Sequence, residues 1–307
     1  MTLRVTFLGT AGAVPTTERN ASGLHVNREG DQLLFDAGEG TQRQLMRFGA
    51  GFGASHVFVT HLHGDHVYGL PGLLETWSFN DRDEPLVIHC PRGTREDLLT
   101  LLTAVGGQPS YPLDVVEVAP GDVVHEGDGY AVRAFATDHR TRSVGYALVE
   151  DDRRGRFDRG HAEALGVPVG PAFSKLHRGE VVELEDGTVV EPEEVVGPPR
   201  PGRTVVYTGD TRPCDSVVEA ADGADLLIHD GTFATEHADR ARETSHSTAR
   251  EAGEVAARAG VDRLALTHVS SRYAGGAGVL AAEAGEAFEG EVTVAHDGLT
   301  VDVPLRD

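Results

Sequence analysis

The stretch Thr60-His-Leu-His-Gly-Asp-His66 constrains this chain more than any other seven residues. Four of its side chains, His61, His63, Asp65 and His66, can bind metal. The run before it, residues 54–60, is β-branched and aromatic and predicts a strand. The run after it, 67–79, has helical spacing of apolar residues and carries Pro71 near its start. The cluster therefore falls on a strand-to-helix loop, where side chains can converge. In extended backbone, residues i and i+2 point the same way, so His61 and His63 can grip one ion together. Gly64 is expected to permit a sharp backbone turn, which aims Asp65 and His66 at a second position. Imidazoles combined with a carboxylate suit zinc or a similar first-row metal.

Beyond this loop, strand and helix patterns alternate, which predicts an α/β fold. Strands are expected over 3–8, 22–26, 32–35, 85–89, 130–137, 144–149, 204–207, 225–228 and 263–267, with another near Val115. Helices are expected over 41–48, capped by Thr41, over 94–104 and 247–259, and through Ala281. A C-terminal strand pair closes the pattern. Residues 150–202 change texture: glycine, proline and charge rise and periodicity fades. They read as an insertion with a hairpin around residues 185–188. Three further candidate ligands, His139, Asp210 and His268, each stand at the end of a predicted strand.

The spacing HxHxDH is the signature of the metallo-β-lactamase fold, and the chain resembles that superfamily. The resemblance implies an αβ/βα four-layer sandwich spanning 1–307 as one domain, with a metal site at one end. The loops narrow the branch. Residues 14–20, Val-Pro-Thr-Thr-Glu-Arg-Asn, resemble the PTxxRN loop of tRNase Z, the tRNA 3′-processing endonuclease. Residues 35–42 and 207–213 are similar to that family's forms, residues 229–233 resemble its His-Glu-Ala-Thr-Phe motif, and residues 246–248 are its His-Ser-Thr motif. Gly166-Val-Pro-Val-Gly-Pro171, followed by Leu176-His-Arg-Gly179, resembles the glycine-proline motif of the family's flexible arm. The likeness runs nearly end to end, at the short-form length.

By this resemblance His61, His63 and His139 hold one zinc ion, Asp65, His66 and His268 hold a second, and Asp210 bridges them. Two zinc ions per subunit are implied, with manganese as an alternative. Such paired ions activate water and stabilise charge on an attacked phosphoryl oxygen. Asp65 can orient or deprotonate that water, and His246, oriented by Asp230, is the candidate general acid. Asp36 either holds a ligand imidazole by its other nitrogen or satisfies amides of its own turn. Arg19 and Asn20 on the loop, and Gly170, Pro171, Lys175 and Arg178 on the arm, are the expected substrate contacts. Two departures stand out. Thr17 occupies a place where the family often has lysine. Asp230-Gly231 replaces Glu-Ala, which shortens the acid facing His246.

The formal net charge of −22 argues at first sight against nucleic acid. Acid excess with a single lysine, Lys175, resembles proteins of salt-loving organisms, whose internal salt screens self-repulsion. Residues 153–178 run against the trend, with six basic side chains and two acidic ones. A phosphate backbone is expected to bind there. No apolar run approaches the length of a membrane span, and the N-terminus begins directly as a strand. A cytoplasmic protein is expected, with Cys90 and Cys214 as unpaired thiols. The expected function is a zinc-dependent endoribonuclease that removes 3′ trailers from precursor tRNA, working as a homodimer. A small-molecule phosphodiester, thioester or lactone hydrolase of the same fold is the alternative.

Overall fold

Two seven-stranded sheets face each other through one apolar core. The structure, a computed structural model, describes residues 2–104 and 108–306. The first sheet runs in the order Thr300–Asp302, Leu3–Gly9, Gly23–Arg28, Asp31–Phe35, His56–Phe58, Leu86–Pro91, Leu113–Val118. The second runs Glu291–Val294, Arg263–Thr267, Leu226–Asp230, Thr204–Tyr207, Val144–Glu150, Tyr130–Ala136, Val123–Gly127. Alternation along each strand divides its side chains between two apolar layers. In Leu3–Gly9, Leu3, Val5 and Phe7 join the core between the sheets, while Leu8 joins the core on the outer face. Leu226 and Ile228 likewise point inward and Leu227 outward. Helices Thr41–Arg47, Leu70–Phe79 and Arg95–Thr103 cover the first sheet. Asp215–Ala220, Ala249–Ala259 and Gly278–Gly285 cover the second. This is the expected αβ/βα sandwich. Its strands are apolar on both sides because both faces are buried.

Several local expectations needed correction. Thr41 does not cap its helix; Gly40, at φ 83°, is the N-cap, and the Thr41 hydroxyl bonds the Gly38 carbonyl at 2.8 Å. The predicted helix over 67–79 is two pieces, a single turn Gly64–Val67 and the helix Leu70–Phe79. The C-terminal strands do not pair with each other. Glu291–Val294 pairs with Arg263–Thr267 and Thr300–Asp302 with Leu3–Gly9, so they lie in different sheets. The strand Val123–Gly127 was not expected; its charged and polar residues mask the pattern.

Ala249–Ala259 shows how the sequence builds one element. Thr248 accepts the Glu251 amide in a capping box, and Gly260 at φ 62° ends the helix. Its buried face consists of Ala249, Ala252, Gly253, Val255, Ala256 and Ala259. A Cβ on Gly253 would sit 2.6 Å from the Ala284 carbonyl oxygen, so the close approach of helix Gly278–Gly285 requires glycine there.

Contacts divide the chain into two units. One comprises Met1–Val149 and Thr204–Pro304; the other comprises Glu150–Arg203 with Leu305–Asp307. The second unit is more regular than its composition suggests. It contains helices Arg159–Ala164, Pro171–His177 and Pro192–Val195, and the hairpin Val182–Glu183/Val189–Val190 where a hairpin was expected. Ala162, Val167, Leu176, Val182, Val190 and Val195 form its own small core. Glu150 and Arg203, its first and last residues before the tail, pair fork to fork at 2.7 Å through both carboxylate oxygens while almost fully buried.

The first unit also buries a histidine cluster away from the candidate metal residues. His56 Nδ1 lies 3.0 Å from His89 Nε2, and the His125 ring packs against His56 at a tilt, with centroids 4.0 Å apart. His125 reaches the Tyr130 hydroxyl, which donates to Asp31. Burial first, then the neighbouring imidazoles, push His89 down to about 3 and His56 down to about 4. Both values lie below that of an unfolded histidine, about 6.5. Stability from the neutral rings is therefore complete above about pH 6.5 and is lost as pH falls towards 3–4. Phe58 already stacks on His89 at 4.7 Å, so phenylalanine suits the site. His89→Phe should lower the acid-unfolding midpoint by roughly half a pH unit or more, read by circular dichroism at fixed salt. An unchanged midpoint would exclude the cluster as a source of acid sensitivity.

Candidate metal centre

The site lies beyond the carboxyl ends of the parallel strands of both sheets, the usual place for function in open α/β sheets. Strand His56–Phe58 leads into His61 and His63, and the turn Gly64–Val67 carries Asp65 and His66. Gly64 has no positive φ, so the sharp turn expected of it is not what glycine supplies here; a Cβ there would meet the ring of the exposed Tyr68. Strands Tyr130–Ala136, Thr204–Tyr207 and Arg263–Thr267 deliver His139, Asp210 and His268. Among the described residues six that are not glycine have positive φ, and four of them, Ala13, Asp36, Ser245 and His268, flank this site. Strain concentrated in this way marks a functional region.

Seven candidate ligands meet in two groups. His61, His63, His139 and Asp210 form one, and Asp65, His66 and His268 form the other. Asp210 divides its oxygens between them. Its Oδ2 lies 3.5 Å from His61 Nε2 and 3.9 Å from His139 Nε2, while Oδ1 lies 3.3 Å from both His66 Nε2 and His268 Nε2. Asp65 Oδ2 is 3.2 Å from His268 Nε2 and accepts the Ala13 amide at 2.9 Å. Two of these buried atoms, His66 Nε2 and Asp210 Oδ1, face each other without a hydrogen-bond partner. Burying such groups unsatisfied is costly, and a cation between them resolves the cost. The donor set therefore fits divalent metal. Burial is also the main cause that lowers His61, His63 and His139, leaving the neutral imidazoles that ligation requires. For His66, burial opposes charge, but Asp210 and Asp36 hold it well above its ordinary value.

Outer partners fix three of the rings. Asp36 Oδ2 bonds His66 Nδ1 at 2.7 Å and also accepts the Tyr207 hydroxyl at 2.8 Å. Its Oδ1 takes the amide of Thr60, 24 residues along the chain and outside the Asp36 turn. Thr232 Oγ1 lies 2.9 Å from His268 Nδ1, and the Ser245 carbonyl 2.9 Å from His139 Nδ1. Such partners set tautomer and orientation. Tyr207 and Thr232 sit inside motifs quoted above and could have been found. Ser245 acts through its main chain, which no side-chain pattern reveals.

His246 Nδ1 lies 2.8 Å from Asp230 Oδ2, so the shortened acid still reaches. Asp230 is fixed in turn by the Thr211 and Thr232 amides and the Thr232 hydroxyl. Burial opposes charge on His246, but Asp230, helped by Asp210, pushes it up to about 9.

Other expected contacts are arranged differently. Arg19 donates to Thr10 Oγ1 at 2.7 Å and to the Ala295 carbonyl, and Asn20 Nδ2 donates to the Glu39 carbonyl at 2.7 Å. These two side chains tie the loop to neighbouring segments of the fold. In the second unit, Gly170 (φ 134°) caps the helix that starts at Pro171. Lys175 and Arg178 are exposed on and just after that helix, and Arg178 pairs with Glu180 at 2.7 Å.

Comparison with known proteins agrees with this geometry. The metallo-β-lactamase fold protein YhfI from Bacillus subtilis superposes with a TM-score of 0.70 at 21% identity, covering 98% of this chain and all of that one. A family model described as the beta-lactamase superfamily domain matches residues 187–269, and one described as anti-Pycsar protein Apyc1 matches 3–153. Fold and site together define a metal-dependent hydrolase of the metallo-β-lactamase class. Human tRNase Z, short form, superposes with a TM-score of 0.71 at 28% identity, covering 98% of this chain and all of that one. Along its whole length the chain is 65% identical to ribonuclease Z of Halobacterium salinarum and 62% identical to that of Haloferax volcanii, covering 99% and 97% of those proteins. The chain belongs to the ribonuclease Z family. These hosts are halophilic archaea, in keeping with the acidic, lysine-poor composition.

Proposed function

We propose that this tRNA 3′-processing endoribonuclease works with two zinc ions per subunit. It would leave a 3′-hydroxyl on tRNA and a 5′-phosphate on the trailer. The observation that carries this reading is Asp210, whose two buried oxygens face two separate groups of imidazoles. His61, His63 and His139 with Asp210 Oδ2 would hold one ion; Asp65, His66 and His268 with Oδ1 would hold the other. When bound, the pair activates water and draws charge from the attacked phosphoryl group. Asp65, steadied by the Ala13 amide, orients that water and can accept its proton. His246, charged at neutral pH beside Asp230, donates a proton to the departing 3′-oxygen. The test is metal analysis of the purified protein together with end mapping on labelled precursor tRNA in high salt. Two zinc ions per chain with 3′-hydroxyl and 5′-phosphate ends are expected. A cyclic 2′,3′-phosphate would instead mean attack by the neighbouring ribose hydroxyl and would reject the scheme.

Residues 150–202 are proposed as an arm inserted in a single domain spanning 1–307, holding the tRNA body far from the scissile bond. In a cytoplasmic homodimer, one subunit's arm would present tRNA to the other's metals. The basic run 153–178 supports this, and its exposed pairs, Arg159–Glu163 and Arg178–Glu180, are weak enough to exchange for phosphate. Deleting Arg153–Gly179 behind a glycine-serine linker should cut precursor cleavage by roughly 10²-fold or more, because remote binding energy positions the reacting centre. Hydrolysis of a small activated phosphodiester should persist in the same buffer. Equal loss of both activities would make the segment structural.

A further inference from the structure

We infer that Arg212 is a positioning residue for His246, gripping the main chain that carries the proton donor. The inference rests on the reading of His246 given above. His246 lies in the short connection between helices Ala238–Thr244 and Ala249–Ala259. Its imidazole makes one side-chain hydrogen bond, the 2.8 Å contact from Nδ1 to Asp230, and packs against the rings of His268 and His139 at 4.9 and 5.3 Å. Only one of these contacts is directional, so the aim of the ring depends also on the backbone behind it. That backbone turns through Ser245 at φ 58°, a conformation that side-chain-bearing residues seldom adopt.

Arg212 supplies the external hold. One terminal nitrogen donates to the His246 carbonyl at 2.6 Å and to Glu251 Oε2 at 2.8 Å; the other donates to Glu251 Oε1. Glu251 in turn accepts the Thr248 amide at 2.8 Å, in the capping box that starts helix Ala249–Ala259. One guanidinium thus joins the donor's carbonyl to the first turn of a rigid helix. The planar fork makes this geometry specific, where an ammonium could satisfy only part of it. At its own backbone, the Arg212 amide donates to the Asp138 carbonyl at 2.8 Å, beside His139, and Asp210 stands two residues away. The side chain that holds the donor therefore grows from the same strand end as the bridging carboxylate. Both sides of the reaction share one reference frame. The Arg212 and Glu251 side chains retain only 17% and 21% of their exposure, so the pair is shielded from water. With its terminal nitrogens engaged on protein, the fork is committed to the fold and is not presented as a phosphate clamp.

The experiment compares Arg212→Met, which keeps length and loses the fork, with Arg212→Lys and His246→Ala in the otherwise intact metal-loaded enzyme. Precursor tRNA and bis(p-nitrophenyl) phosphate are assayed in one buffer. p-Nitrophenolate leaves without a proton, so a change that acts through the donor spares it. Arg212→Met should lower kcat on precursor tRNA by roughly 10–100-fold, a fraction of a general acid's worth. It should leave KM within about twofold, since binding contacts remain. Arg212→Lys, a milder change should methionine unfold the protein, should lose less. Zinc content should be unchanged in both. In the His246→Ala background, Arg212→Met should cost nothing further, because the group it positions is gone. A raised KM with kcat intact would show that Arg212 holds RNA, and an additive loss in the double variant would show that it acts elsewhere; either overturns the proposal. If His246→Ala harms both substrates equally, the proton-donor reading falls, while the double variant still decides whether Arg212 acts through His246.

Discussion

Asp210→Ala should fold and bind precursor tRNA, yet show no detectable cleavage. The side chain is almost fully buried, and it is the one carboxylate facing both groups of imidazoles. Its removal leaves His61, His63 and His139 without an anionic partner, and leaves His66 and His268 with Asp65 alone. With Asp65 as the one carboxylate left among the candidate ligands, repulsion between two divalent ions across the gap is poorly offset, so at least one should be lost. The fold should survive because Oδ1 makes no hydrogen bond for the mutation to break. His63→Ala should behave alike, through loss of one imidazole from the first group. The measurements are precursor cleavage, zinc content and the far-ultraviolet spectrum. Near-parental cleavage by either purified variant would reject the ligand assignment.

His246→Ala should slow precursor cleavage by roughly 10²–10⁴-fold, the usual worth of a general acid. Zinc content should stay the same. The second half of the expectation is the sharper one, because Asp210, Asp230, His246 and His268 are close enough to hold an ion among themselves. Geometry favours the proton. His246 Nδ1 is 2.8 Å from Asp230 but 3.9 Å from Asp210, and Asp230 is already fixed by three hydrogen bonds from Thr211 and Thr232. A carboxylate so engaged orients an imidazole better than it binds metal. Loss of zinc along with activity would make His246 a ligand and remove it from proton transfer.

Much of this was legible in the chain. Motifs name residue types and their order; the metal loop and the three strand-end ligands are sequence-local features, while Asp230 and His246, 16 residues apart, were paired through the family resemblance. Strands buried on both faces announce themselves by apolar content, so 3–9, 226–230 and 263–267 were read nearly to their ends. Val123–Gly127 was missed because its exposure leaves no pattern. The insertion was under-read because its helices are one or two turns long and rely on a small private core. Short helices gain their stability from packing, which composition does not display.

Sequence alone determined the chemistry: which side chains could bind metal, which could donate a proton, and which sandwich would carry them. Tertiary structure decided how they are held. It gave Asp36 to His66, Thr232 to His268 and the Ser245 carbonyl to His139, and it turned Arg19 and Asn20 onto Thr10 and Glu39, outside their loop. It also put the Arg212 fork on the His246 carbonyl. The physical reason is distance along the chain. Periodicity and motif spacing report on neighbours within a few residues. A hydrogen bond from Tyr207 to Asp36 joins residues 171 apart, and it forms only because two sheets bring their strand ends together.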